Sequence, residues 1–329
     1  RIYLIPVIIY VFSTILSALG PGTVPTMAIM MVFAMALAAE LGITPVLLSA
    51  LIVLGASGGG VSPLAATGII GIKLCADFGL HDIGQQFLLN GVLSSTVYAV
   101  IIYIALGGYK LESHLTMTTN AHISFDKKQL ITLAGIGVMV LLVLLFKFNV
   151  GLVSFAVAAV LSFLRVSDES KALKQVPWGT LLLITGVGVL MQLIIDLGGI
   201  KMLAAALISI MSEKTATAIM GITSGIMSWF SSTSGVVMPT LIPTIPHIVS
   251  EFPGVSKLEL ATAITMISNT AGISPLSTGG ALALAAYSSA ANAGQKEQQE
   301  LFVKMFAISA AGVLVLSVLS YFGLYHWLL

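Results

Sequence analysis

Charge is what this 329-residue chain has least of. Only 8% of its residues are Asp, Glu, Lys or Arg, where water-soluble domains carry roughly a quarter. With 57% hydrophobic residues and a mean hydropathy of +1.06, a soluble globular domain is excluded. The net charge of +1 offers no electrostatic basis for a nucleic-acid partner. A single cysteine, Cys75, excludes an internal disulfide and any multi-cysteine metal site. His81, His114, His122, His247 and His326 are scattered, with no HExxH grouping. The alternating ten-residue segments of a membrane β-barrel are also missing.

What the chain does have is a series of long apolar runs, among them 2–19, 87–106, 130–146, 178–197 and 301–328. About 20 apolar residues in a helix cross a bilayer, so the expected fold class is an all-α polytopic membrane protein embedded in lipid. Several other runs are too short to span alone. They come in pairs interrupted by knots of Gly, Pro, Ser and Thr, and the knots repeat. "GASGGGVSPLAATGIIG" (Gly55–Gly71) matches "ISNTAGISPLSTGGALA" (Ile267–Ala283), with Ser62-Pro63-Leu64 on Ser274-Pro275-Leu276. Upstream, "LGPGTVPTMAI" (Leu19–Ile29) faces "STSGVVMPTLI" (Ser232–Ile242), with Pro25-Thr26 on Pro239-Thr240. Paired interruptions in two halves point to a transporter binding site, because irregular backbone at membrane depth must line protein or a watery cavity.

The repeat divides the chain into 1–107 (hairpin 2–40, broken helix 43–77, span 85–107), a cytoplasmic linker 108–128, and 129–329. The second repeat comprises spans 129–197, an arm 199–212, a hairpin 215–250, a broken helix 257–292 and a last span 300–328. About a hundred residues precede the second hairpin but only 19 the first, so N-terminal spans are expected to be missing. With the linker inside and both hairpins re-entrant, nine Lys/Arg face the cytoplasm and five the outside, as the positive-inside rule favours. The hairpins then enter from opposite faces, as an inverted repeat requires.

These motifs resemble the ion transporter superfamily, which includes divalent anion/sodium symporters, and more closely the MatC-type malonate and dicarboxylate carriers. The resemblance rests on "GPGTVPTMA", "SGGGVSPLAATGII", "SSTSGVVMP" and "ISPLSTGGA". It implies a scaffold domain (87–106 and 130–197), a transport domain (2–71 with 216–291) that moves as an elevator, and an amphipathic arm at 200–211. It also implies a homodimer joined through the scaffold, in a prokaryotic inner membrane. Sodium symporters of that superfamily carry Ser-Asn-Thr at both hairpin tips. Here the tips read Gly22-Thr23 and Ser231-Ser232-Thr233-Ser234, and the one Ser-Asn-Thr, Ser268–Thr270, lies in the second broken helix.

The four knots contain no Lys, Arg, Asp, Glu or His. A small anion must then be held by hydroxyls and by backbone N–H groups at helix N-termini. The expected substrate ligands are Gly22, Thr23, Ser62, Thr67, Ser232, Thr233, Ser234, Ser277 and Thr278, with helices restarting at Thr67-Gly68 and Gly279-Gly280. The carbonyl-rich opposite ends, with Ser57, Gly58, Ser268, Asn269 and Thr270, suit Na⁺; no other metal and no organic cofactor is expected. The plainer reading is that small residues and hydroxyls mediate helix packing, which leaves the paired recurrence unexplained. Met27, Met30, Met31 and Met35 read as core or lipid-facing filler. Lys73 and Asp77, one turn apart, read as an i,i+4 ion pair. "GASG" (Gly55–Gly58) matches the serine motif of intramembrane proteases, but its repeat counterpart "SNTA" argues for a structural element, so no enzyme is expected. The expected function is secondary active transport of a small dicarboxylate, malonate or a C4 acid, coupled to Na⁺ or H⁺. The alternatives are a Na⁺/H⁺ antiporter, a gluconate-type hydroxycarboxylate permease, or a channel or accessory subunit.

Overall fold

The computed structural model describes residues 2–111, 126–146, 148, 150–166, 169–175, 182, 186, 189–190, 192–291 and 295–325. Most of the expected linker 108–128, parts of the spans 129–197, residue 292 and the last residues of 300–328 lie outside the described residues. Among the described residues every regular element is helical. They are α1 (Ile5–Ala18), α2 (Thr23–Leu41), α3 (Pro45–Gly60), α4 (Ala66–Ala76), α5 (Gly84–Ala105), α6 (Lys127–Phe146), α7 (Val150–Phe163) and α8 (Glu169–Gln175). After these come α9 (Gly199–Ile208), α10 (Ala216–Trp229), α11 (Met238–Leu241), α12 (Ile245–Glu251), α13 (Lys257–Ala271), α14 (Thr278–Ala291) and α15 (Gln295–Tyr321). A π-helical turn, Thr233–Val237, precedes α11.

The chain forms two compact units, 1–114 with 184–329, and 115–183. In the smaller unit α6 packs on α7, where Gly135 admits Val157 and Leu161. Large apolar side chains such as Phe155 and Phe163 face outward, as lipid would favour and water would not.

Local chemistry explains where helices of the larger unit begin and end. Pro45 opens α3 at a position where its missing N–H costs nothing. Ser256 caps α13 by accepting the Glu259 N–H, in the S-x-x-E pattern. Gly42 ends α2 in the left-handed region at φ +66°. α5 and α15 are long and apolar enough to cross a membrane, while 2–18, 45–60 and 66–76 are shorter apolar helices. At 1.5 Å per residue, α3 reaches only about 24 Å, short of a hydrocarbon core of about 30 Å.

α3 and α13 form the centre. α3 is buried from Val46 to Gly60 and α13 from Leu260 to Ala271. α1, α2 and α5 pack on α3, while α10, α15 and α5 pack on α13. The break after each central helix is folded the same way, 212 positions apart. Ser62 Oγ accepts the Leu64 N–H at 3.2 Å, and Ser274 Oγ accepts that of Leu276 at 3.2 Å. The Ser62 carbonyl accepts the Ala65 N–H, and the Ser274 carbonyl that of Ser277, both at 2.9 Å. Ser17 Oγ of α1 donates to the Ala56 carbonyl at 2.7 Å, and Ser228 Oγ of α10 to the Ser268 carbonyl at 2.7 Å. The sequence repeat therefore extends to individual hydrogen bonds.

Close approach is built on glycine. A Cβ on Gly59 would overlap the Thr14 carbonyl and stand 2.9 Å from the Ala18 nitrogen, both backbone atoms that cannot yield. Gly59→Ala should therefore cost about 1–3 kcal/mol and lower the Tm of the detergent-solubilised protein. Gly137→Ala, which meets nothing within 4 Å, should leave Tm unchanged or raise it; equal losses in both variants would refute the packing argument.

Candidate functional site

Three helices start around one small cavity. α2 begins at Thr23, α4 at Ala66 and α14 at Thr278, and Thr23, Thr67 and Thr278 all line it. The first N–H groups of each helix have no carbonyl one turn back, so these ends bring unpaired donors and positive dipole ends together. Gly22 makes the α2 start possible. It precedes the helix at φ +78°, a conformation glycine tolerates and L side chains rarely adopt.

The turn before α11 supplies Ser232, Thr233 and Ser234, held by Ser232 Oγ accepting the Gly235 N–H at 3.1 Å. Thr233 is further fixed by a 3.0 Å hydroxyl contact with Ser228, the residue that anchors α10 to α13. From the central helices come Ser57 and Asn269, which are matched positions of the repeat, and Ser277 precedes α14. The space open to water in this cavity is about 50 Å³. One water takes about 10–15 Å³ of that measure, so it admits a few waters or a bare ion, and a larger solute requires it to open.

Among the described residues no charged side chain lines this cavity. Three buried atoms there, Thr23 Oγ1, Ser57 Oγ and Asn269 Nδ2, have no hydrogen-bond partner. Buried polar groups are almost always paired, and leaving one unpaired costs about 1–3 kcal/mol. These three, of ten such atoms among the described residues, leave the cavity with polar groups that a polar solute would pair.

Nine of the residues expected from sequence converge here: Thr23, Thr67, Ser232, Thr233, Ser234, Ser277 and Thr278 from the anion set, and Ser57 and Asn269 from the cation set. The other five do not line it. Gly22 shapes the α2 start. Ser62 holds its own turn. Gly58 faces Ser95 of α5. Ser268 donates to the Ile264 and Thr265 carbonyls at 2.6 and 3.0 Å. Thr270 donates to the Met266 carbonyl at 2.9 Å, with its methyl toward Gly312 of α15. A helix turns about 100° per residue, so of Ser268-Asn269-Thr270 only the middle one points inward.

One further expectation is extended and one needs correction. Met27, read as core or lipid-facing filler, is a buried core residue that also lines the cavity together with Val24, Gly272 and Gly279. Its i+4 spacing from Thr23 was the available signal. Lys73 and Asp77 do not close to an ion pair; among the described residues the one ion pair is Lys304–Glu300 at 3.5 Å. An exposed pair gains little from closing. The helix restarts also come one residue earlier than expected.

Among the described residues Ser57 Oγ has no hydrogen-bond partner. An all-helical structure with two helices long and apolar enough to cross a membrane is consistent with a membrane transporter. The comparison with known families agrees: the model described as Citrate transporter matches residues 2–251, and the chain belongs to that family, within the ion transporter type that the motifs indicated. It is an integral membrane, carboxylate-type secondary transporter. No curated protein matches the chain. The family match ends before α13, so Asn269, Ser277 and Thr278 rest on the sequence repeat and on the geometry.

Because Thr23 Oγ1 is unpartnered, Thr23→Val should keep or raise the stability of substrate-free protein while raising KM by about tenfold. Thr270→Val, whose hydroxyl faces its own helix, should leave KM unchanged. Uptake kinetics and thermal unfolding of both variants check this; a destabilised Thr23→Val with normal KM would remove Thr23 from the site.

Proposed function

We propose that the chain is a secondary active carrier of small di- or tricarboxylates, driven by Na⁺ or H⁺. The observation that carries this reading is the uncharged cavity lined by eight hydroxyl residues and three helix N-termini. Such a lining solvates carboxylate oxygens without a fixed cation. It also holds the anion without an ion pair that would have to be broken for release. The family description favours citrate; the motif resemblance favours malonate or a C4 acid.

In this proposal the anion sits against the starts of α2, α4 and α14, with the 232–234 hydroxyls opposite. The coupling cation sits between Ser57 and Asn269, where α3 and α13 end and their carbonyl dipoles point. Hairpins 2–40 and 215–250 are re-entrant from opposite faces, and 2–71 with 216–291 move as an elevator against a scaffold that dimerises. A prokaryotic inner membrane is the proposed location.

Proteoliposomes test the reading directly. Labelled citrate, malonate or succinate should accumulate above equilibrium under an inward Na⁺ or proton gradient. No accumulation under either gradient would end the proposal, and simple equilibration would make the protein a channel. A Na⁺-dependent pH change without organic substrate would make it an antiporter. Asn269→Ala should weaken cation dependence more than Thr233→Ala; equal loss of substrate affinity with cation dependence intact would move the cation elsewhere.

A further inference from the structure

The binding cavity adjoins a larger one. A second cavity of about 470 Å³ is walled by Ile70, Leu74 and Phe78 of the α4 region, by Ile195, and by Pro239, Pro243 and Pro246. Ser234 lines both cavities. On the larger one's otherwise apolar wall stand Lys73, Asp77 and Gln192. Gln192 is occupied, donating to Asp196 at 3.0 Å. Lys73 is exposed and makes no ion pair with Asp77. Lys257 lies behind Phe78, its Nζ 5.7 Å from the ring centroid and 3.5 Å from the Phe78 carbonyl.

We propose that this cavity is an antechamber in which Lys73 receives a carboxylate group before it passes Ser234 into the binding cavity. The proposal rests on the carrier reading above. Among the described residues Lys73 is the one cation on the wall of either cavity. The inner cavity has only dipoles and hydroxyls, whose attraction fades within a few ångströms, whereas a lysine acts over a Debye length. Asp77, one turn away on the same wall, opposes it and keeps capture weak enough for the anion to move on. The prolines opposite leave backbone without N–H donors there, so Lys73 and Ser234 are the polar steps along that wall.

The experiment is uptake kinetics in proteoliposomes, with wild type in parallel to establish carriage itself. At low ionic strength Lys73→Gln should raise KM by about three- to tenfold with kcat maintained, Lys73→Arg should restore it, and Asp77→Asn should lower KM. Added salt should shrink these differences. Unchanged KM in Lys73→Gln, or the same direction of change in Asp77→Asn, overturns the proposal while leaving wild-type carriage intact. Lipid phosphate offers the same anionic oxygens as a carboxylate, so each variant is measured in phosphatidylcholine vesicles with and without phosphatidylglycerol. An effect equal in both supports substrate capture; an effect confined to phosphatidylglycerol assigns Lys73 to a headgroup and overturns it.

Discussion

A backbone break inside hydrocarbon leaves N–H and C=O groups with no water to bind, and this requirement organises the larger unit. Two helices stop short, α3 at Gly60 and α13 at Ala271. Each break is closed by its own serine, Ser62 or Ser274, which accepts one N–H on its hydroxyl and another on its carbonyl. What lacks a carbonyl one turn back is the start of the next helix, although on the second side the Gly280 N–H returns to the Gly272 carbonyl at 3.1 Å. Those starts border one cavity.

The neighbouring helices hold the breaks in register. Ser17 and Ser228 reach across from α1 and α10 to carbonyls near the ends of the two central helices, each at 2.7 Å. Glycine lets these helices approach until backbone meets backbone. On the second side Ser309 of α15 adds a bond to the Ala271 carbonyl at 2.9 Å and itself receives the Trp229 indole N–H. The last turns of α3 and α13 are thus fixed from outside, and the matched pair Ser57 and Asn269 is fixed with them. An uncharged site suits a carrier: dipoles bind an anion well enough to load it, with no salt bridge to break at unloading.

Much of this was legible in residue order. The paired Ser-Pro-Leu motifs marked both breaks, and nine of fourteen expected ligands meet at one cavity. The departures have separate causes. Ser268 and Thr270 flank Asn269 in sequence but lie about 100° to either side of it on the helix, so adjacency misled. Met27 is a core residue, as methionine in an apolar helix usually is, and it also reaches the cavity. Lys73 and Asp77 have the right spacing to pair, yet exposed charges at that spacing gain too little to be held together.

Composition alone determined the solvent: a chain with so little charge and so much hydrocarbon can bury its apolar surface only in lipid. The internal repeat likewise announced where helices would break, since Gly, Pro and Ser at matched positions cannot continue a helix comfortably. Tertiary structure decided which hydroxyls face each other. That choice depends on the rotation of each helix about its axis, set by contacts between residues far apart in the chain, such as Ser17 with Ala56 and Gly59 with Thr14. It also decided that Ser234 borders two cavities at once, because the α4 region and the turn before α11, well over a hundred residues apart in the chain, become neighbours only on folding.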